Sequence, residues 1–286
     1  PVTKWSVQVE TADEMAAIMR RAFKIANEAP AGPVFVALPI NVMEQETEIL
    51  AKASTDTFTA PRPDPAGVAA MAARIMAAKN PIIVASDDVA RADAVKDLVA
   101  LSEAMGAGVW FEGIRHHINF PNRHPNAKGI LPVDAGAIRN TFGEADLVML
   151  IGGPFFEEVW FTSGLPFPDG ATVVQLEEAA ARLAHNHAVD AGLVGHLPTS
   201  LGDLTATLKA SGDYQSAAKA RNDALAAEST EARAAYEARS QRAWDRDPMS
   251  MARAMAEINA GTPDNAVVVE EAITAGLDLE IGRAHV

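Results

Sequence analysis

Between residues 66 and 211, helical segments alternate with short runs that are apolar on both faces. Pro81-Ile82-Ile83-Val84-Ala85, Val109-Trp110-Phe111, Leu147-Val148-Met149-Leu150-Ile151 and Thr172-Val173-Val174-Gln175-Leu176 are such runs. A strand facing water on one side alternates apolar with polar residues. A strand with apolar residues on both sides needs cover on both faces, and a parallel sheet between helix layers supplies it. Helical spacing precedes the first three runs, as in Val95, Leu98, Val99, Ser102 and Met105, which ends at Gly106 or Gly108, and a helix near 200–210 closes the unit. This pattern predicts an α/β fold: a doubly wound, Rossmann-like parallel-sheet central domain over 66–211.

The flanks predict incomplete α/β domains. Thr11-Ala12-Asp13-Glu14 reads as a capping box that starts a helix. Pro30 and Gly32 end that helix, and Pro33 to Pro39 reads as a buried parallel strand. One helix and one strand cannot bury their own apolar faces, so 1–48 is expected to be the last part of a domain. Pro61, Pro63 and Pro65 mark 49–65 as a linker. Residues 212–247 are rich in Ala, Arg and Glu and read as a solvated connecting helix, with Tyr236 and Trp244 its large late anchors. In 248–280, Met251, Ala254, Met255 and Ile258 share a helical face, and Ala266 to Val269 reads as a strand. Residues 281–286 continue no pattern. They resemble an in-frame translation of a DNA-sequencing adapter, and His285 is given no functional weight.

Composition removes several function classes. The chain carries 24 basic and 38 acidic residues, a net charge of −14, which disfavours nucleic acid and anionic membrane as partners. It has no cysteine, so disulfides, thiolate metal sites and thiol nucleophiles are excluded. A reducing, cytoplasmic location is compatible with that. No apolar run reaches the ~20 residues that cross a bilayer.

The chemistry-bearing motifs are few. Ser86-Asp87-Asp88-Val89 follows the first strand of the central domain where a dinucleotide fold has a glycine-rich turn, and its acidic pair would repel a pyrophosphate. Gly152-Gly153-Pro154 is only weakly glycine-rich. His116 and His117 are adjacent, so their side chains are expected to diverge. His185 and His187 could share one strand face, but no carboxylate stands at a spacing that would complete a metal site. His124 lies in Phe120-Pro121-Asn122-Arg123-His124-Pro125, a long irregular stretch after a strand. Such loops in compact domains often carry function, and active residues of open α/β sheets gather at carboxyl strand ends.

Taken in order, these stretches resemble the thiamine-diphosphate-dependent 2-oxoacid decarboxylase and acetolactate-synthase superfamily, and within it the benzoylformate decarboxylase type. Val2 to Ser6 with Gly32 to Pro39 resembles the end of a pyrimidine-binding domain. Asn80 to Val84, with Gly108-Val109-Trp110, resembles the opening of the central domain. Phe120 to Pro125, with Gly129 and Pro132, resembles the loop that domain sends toward the active site. Asp264 to Glu271 resembles the first strand of a diphosphate-binding domain.

The resemblance implies thiamine diphosphate and Mg²⁺ as cofactors, a small 2-oxoacid substrate, and a homodimer or homotetramer. It implies that the activating glutamate and the main Mg²⁺ and diphosphate motifs lie outside this chain, which would then be inactive alone. It places His124 as a catalytic group for proton transfer to or from the carbanion, enamine or product alkoxide. It places Glu271 and Thr274 near the diphosphate, although Ala272 and Ile273 stand where hydroxyl residues are expected; helix N-capping is the other reading of Thr274. Asp87-Asp88 weakens an FAD or ADP site, and His116, His117 and Asn119 alter the front of the loop. An acetolactate-synthase-like ligase and a non-catalytic nucleotide-binding or structural protein are the alternatives.

Overall fold

The computed structural model describes residues 2–52, 60–156, 163–242, 244–263 and 266. The chain divides into two compact units, residues 1–61 and 62–286.

In the first unit, β1 (Trp5–Gln8) and β2 (Val34–Ala37) pair in parallel with Trp5 opposite Val34, joined through α1 (Met15–Asn27). A short helix, α2 (Ile40–Met43), follows. The capping box does not form as expected. Residues Ala12–Glu14 make a 3-10 turn, so α1 starts at Met15, and Thr11 makes no side-chain cap bond. Glu14 instead accepts from the Glu10 amide at 3.2 Å. Among the described residues β2 is not a fully buried strand either, since Phe35 stands 58% exposed.

The second unit opens with α3 (Pro65–Ala77), where the Asp64 carboxylate accepts from Ala66 N–H and Pro65 occupies the first turn. Then come β3 (Pro81–Ala85), α4 (Asp88–Arg91), α5 (Val95–Met105), β4 (Gly108–Phe111), β5 (Ala127–Ile130), α6 (Ala135–Phe142), β6 (Leu147–Ile151), β7 (Thr172–Glu177), β8 (Ala191–Val194), α7 (Leu197–Lys209), α8 (Gly212–Arg242) and α9 (Met251–Gly261). The six strands pair in parallel in the order β5-β4-β3-β6-β7-β8. The chain therefore winds outward in one direction from β3 and in the other from β6. The crevice between these two strands is the topological switch point.

Both sheet faces are covered, as the continuous apolar runs require. On one face Ile83, Val109, Met149 and Val174 pack with Met71, Leu98, Leu101, Leu201 and Leu204 of α3, α5 and α7. On the other, Val84, Val148, Leu150 and Val173 pack with Ile138 and Phe142 of α6. The sequence pattern misses β5 and β8. They are the edge strands, with one neighbour each, and their Ala-Lys-Gly-Ile and Ala-Gly-Leu-Val sequences carry little apolar signal.

The first half of α8 does more than connect. It donates to the carbonyls at the end of α5: Gln215 to Ala104 O at 3.0 Å, Arg221 to Met105 O at 2.6 Å, and Asn222 to Glu103 O at 2.8 Å. Tyr214 and Ala218 are buried against the same helix end. The reading of this stretch as merely solvated is corrected in that half.

Candidate functional site

At the carboxyl edge of the sheet, four acidic side chains converge on the switch point, and all are buried: Asp87 and Asp88 after β3, Glu112 after β4, and Glu177 at the end of β7. Each has a donor. Asp87 accepts the backbone N–H groups of His116 and His117 at 3.0 and 3.1 Å, and lies 2.9 Å from His116 Nδ1. Both histidines, expected to diverge, turn onto this one carboxylate, with His117 Nδ1 at 3.5 Å. Asp88 pairs with Arg91 at 3.0 Å and with Arg182, whose guanidinium also donates to Gly153 O. Glu112 accepts from Phe156 N–H at 3.2 Å. Glu177 accepts from Gly153 N–H at 3.1 Å and from Gln175 at 2.9 Å.

The Gly152-Gly153 turn allows these strand ends to meet. Gly152 has φ +70°, and a Cβ at Gly153 would fall within 3.0 Å of the Phe155 ring. Its amide, however, is spent on Glu177. A phosphate at the switch point needs free amides and no anions, and this crevice has the reverse arrangement. This crevice thus offers no cradle for a diphosphate. Nor do the described residues place three His, Asp or Glu side chains to hold a metal ion. His187 packs edge-on against Phe156 and Phe167.

The two sides of this crevice titrate in opposite senses. Burial pushes Asp87 up, but N–H donation from His116 and charge and N–H donation from His117 outweigh it, and the carboxyl sits below 3.8. Burial dominates at Glu177 and raises its carboxyl above 4.5, only partly countered by Gln175, Gly153 and Arg182. From pH 4.5 upward the folded chain therefore keeps a proton that the unfolded chain releases, and stability falls as pH rises through that window. Glu177→Gln abolishes this titration. Thermal melts across pH should show a shallower decline for the variant; equal slopes in both proteins would contradict the assignment.

His124 lies elsewhere. The 112–126 segment leaves the carboxyl end of β4 but returns to the amino end of β5, where Val109 N–H donates to Asn126 O at 2.8 Å. His124 stands three residues before β5, on the amino edge, not with the carboxyl-edge cluster. Its ring meets buried Phe120 edge-on at 5.0 Å. Its Nδ1 accepts from Asn126 N–H at 3.1 Å, and its Nε2 faces Glu103 Oε1 at 3.5 Å. Asn126 in turn donates to Ser102 at 2.8 Å and to Asn222 at 2.9 Å, tying the turn to α5 and α8. Glu271, Thr274, the 267–269 strand and the 281–286 tail lie outside the described residues. Sequence reading singled out Asp87, Asp88 and His124 but missed Arg182, Glu177 and Glu103. A lone arginine or glutamate has no local signal that marks its partner.

The strand order, the switch point and the helices on both faces define a doubly wound α/β domain of the Rossmann type, here with acidic side chains filling the crevice. Residues 68–204 match the family described as thiamine pyrophosphate enzyme, central domain, and this segment belongs to that family. The chain is 28% identical over 230 residues to benzoylformate decarboxylase from Pseudomonas aeruginosa, covering 80% of this chain and 43% of that protein. It is 26% identical over 223 residues to acetolactate synthase from Bacillus subtilis, covering 71% and 36%. The crystal structure of benzoylformate decarboxylase from Polynucleobacter necessarius superposes with a TM-score of 0.66 at 29% identity, covering 72% of this chain and 38% of that one. The chain thus spans less than half the length of these relatives. No helix among the described residues is long and apolar enough to cross a membrane.

Proposed function

We propose that this chain is part of a thiamine-diphosphate- and Mg²⁺-dependent 2-oxoacid decarboxylase or carboligase of the benzoylformate decarboxylase type. The observation that carries this is the central-domain match over 68–204, together with an alignment to benzoylformate decarboxylase that covers 80% of the chain. In this reading residues 1–48 end a pyrimidine-binding domain and 248–280 begin a diphosphate-binding domain, where Glu271 and Thr274 approach the cofactor. The central domain contributes His124, which serves a proton or hydrogen bond to the reacting substrate. The assembly is a homodimer or homotetramer in the cytoplasm.

The test is product analysis on the complete polypeptide with thiamine diphosphate, Mg²⁺ and benzoylformate or pyruvate. Benzaldehyde and CO₂ from benzoylformate support the reading. No turnover of any 2-oxoacid rejects it. Activity of the isolated 286-residue chain would reject the view that the remaining machinery lies elsewhere. His124→Ala is expected to lower kcat/KM by a factor on the order of 10² or more. Unchanged kcat and KM would remove His124 from the mechanism.

A second reading, an acetolactate-synthase-like ligase, draws support from the 26% identical relative. Acetolactate from pyruvate would favour it. A non-catalytic nucleotide-binding role finds less support, because Gly153 N–H is committed to Glu177 and Asp87-Asp88 stands at the switch point.

A further inference from the structure

We propose that the cavity between the ends of β6 and β7 is a binding site for the head of a small uncharged ligand that carries an N–H donor beside a carbonyl acceptor, a primary carboxamide being the simplest. This site is separate from the cofactor chemistry proposed above. It lies at the carboxyl edge of the sheet, where open α/β folds bind ligands. Its wall comes from the ends of both strands, the turn after β6 and the connection from β7 to β8. The cavity encloses about 40 Å³. One water needs roughly 10–15 Å³, so the space takes about three waters or a planar group of about four heavy atoms.

Two polar groups in this wall have hydrogen-bonding capacity left over. Glu177 is fully buried. Its Oε1 accepts from Gly153 N–H at 3.1 Å and from Gln175 Nε2 at 2.9 Å. Its Oε2 has no hydrogen-bond partner. A buried carboxylate oxygen without a donor is a costly state, and the wall of a cavity is where a ligand can relieve it. Arg182 shows the converse. Its Nη1 serves Asp88 and Gly153 O, while its Nε and Nη2 bond to no acceptor among the described residues. One missing donor and one missing acceptor therefore stand in the same small space. Leu150, Pro154 and Phe155 supply the apolar part of the wall.

Charge selects among possible occupants. A carboxylate brings a second anion to Glu177. An ammonium or amidinium brings a second cation to Arg182. Either is desolvated beside a like charge. An uncharged carboxamide meets neither penalty. Its N–H donates to Glu177 Oε2, its carbonyl accepts from the Arg182 guanidinium, and its apolar substituent rests on Leu150, Pro154 and Phe155.

Acetamide, acetate and acetamidinium form an isosteric series that tests this. Each is titrated into the 15N-labelled 286-residue chain, and the Gly153 backbone amide is followed by NMR. Acetamide should saturate that signal with a dissociation constant on the order of 1 mM, as a ligand this small allows. Acetate and acetamidinium should bind about tenfold more weakly or worse. No saturable shift with acetamide would mean that the cavity holds water only and would overturn the proposal. So would acetate or acetamidinium binding as well as acetamide. Glu177→Gln supplies the second arm. Its carbonyl can keep the Gly153 and Gln175 bonds, which puts an NH₂ donor where Oε2 stood. The preference should then reverse, with acetate about tenfold tighter than acetamide. An unchanged order in a folded Glu177→Gln would show that Oε2 is not the acceptor and would equally overturn the site. The wild-type series decides on its own if that variant does not fold.

Discussion

Gly106→Ala is expected to destabilise the chain by about 3 kcal/mol. Gly106 ends α5 at φ +59°, in the left-handed region, where a side chain costs about 1–2 kcal/mol. The larger problem is space. A Cβ there would lie 2.4 Å from Ala218 O and 2.8 Å from Ala218 Cα, both backbone atoms of α8. They cannot move without lifting α8 from α5. Lifting it uncovers Tyr214 and Ala218 and strips Gln215, Arg221 and Asn222 from the α5 carbonyls. Overpacking of this kind adds about 1–3 kcal/mol. Gly202→Ala is the control. Gly202 sits inside α7, exposed, with nothing within 4 Å of its added Cβ, so the same change should stabilise by up to about 1 kcal/mol. Urea unfolding measures both. A Gly106→Ala midpoint equal to wild type would mean that α8 does not dock where the structure puts it.

Arg182→Met should cost a comparable amount, about 3 kcal/mol. Arg182 reaches Asp88 and Gly153 O across the switch point, and its charge also faces Glu177. Methionine keeps much of the stem's packing but removes the charge. Asp88, whose side chain is 8% exposed, then keeps Arg91 as its cation among the described residues. Leaving a buried carboxylate short of its partner is the expensive half of breaking an ion pair. The double variant Arg182→Met/Asp88→Asn should regain part of the loss, because the stranded charge is gone. Losses that simply add would show that the two residues do not interact.

The four central strands were legible because burial on both sheet faces leaves a run of apolar residues that can be read without knowing the neighbours. The edge strands β5 and β8 were not, since one-sided pairing relaxes that demand and admits Gly and Lys. The 3-10 turn at Ala12–Glu14 shows how a local signal can be right in kind and displaced in position: a helix follows, but the cap chemistry moves to Glu10. His124 was singled out through family resemblance. The sheet-edge rule that also drew attention to it does not account for it, because the loop that begins at the carboxyl edge delivers it to the amino edge.

The sequence by itself determined the layered α/β plan of the central domain and the exclusion of thiol chemistry. Each depends on residue type and short-range spacing, and chain-local physics sets those. Only the tertiary structure decided which charges meet. Asp88 and Arg182 are 94 residues apart, Asn126 and Asn222 are 96, and Gly106 is shaped by a helix more than a hundred residues away. A partner at that distance is chosen by how the sheet winds and where α8 lands.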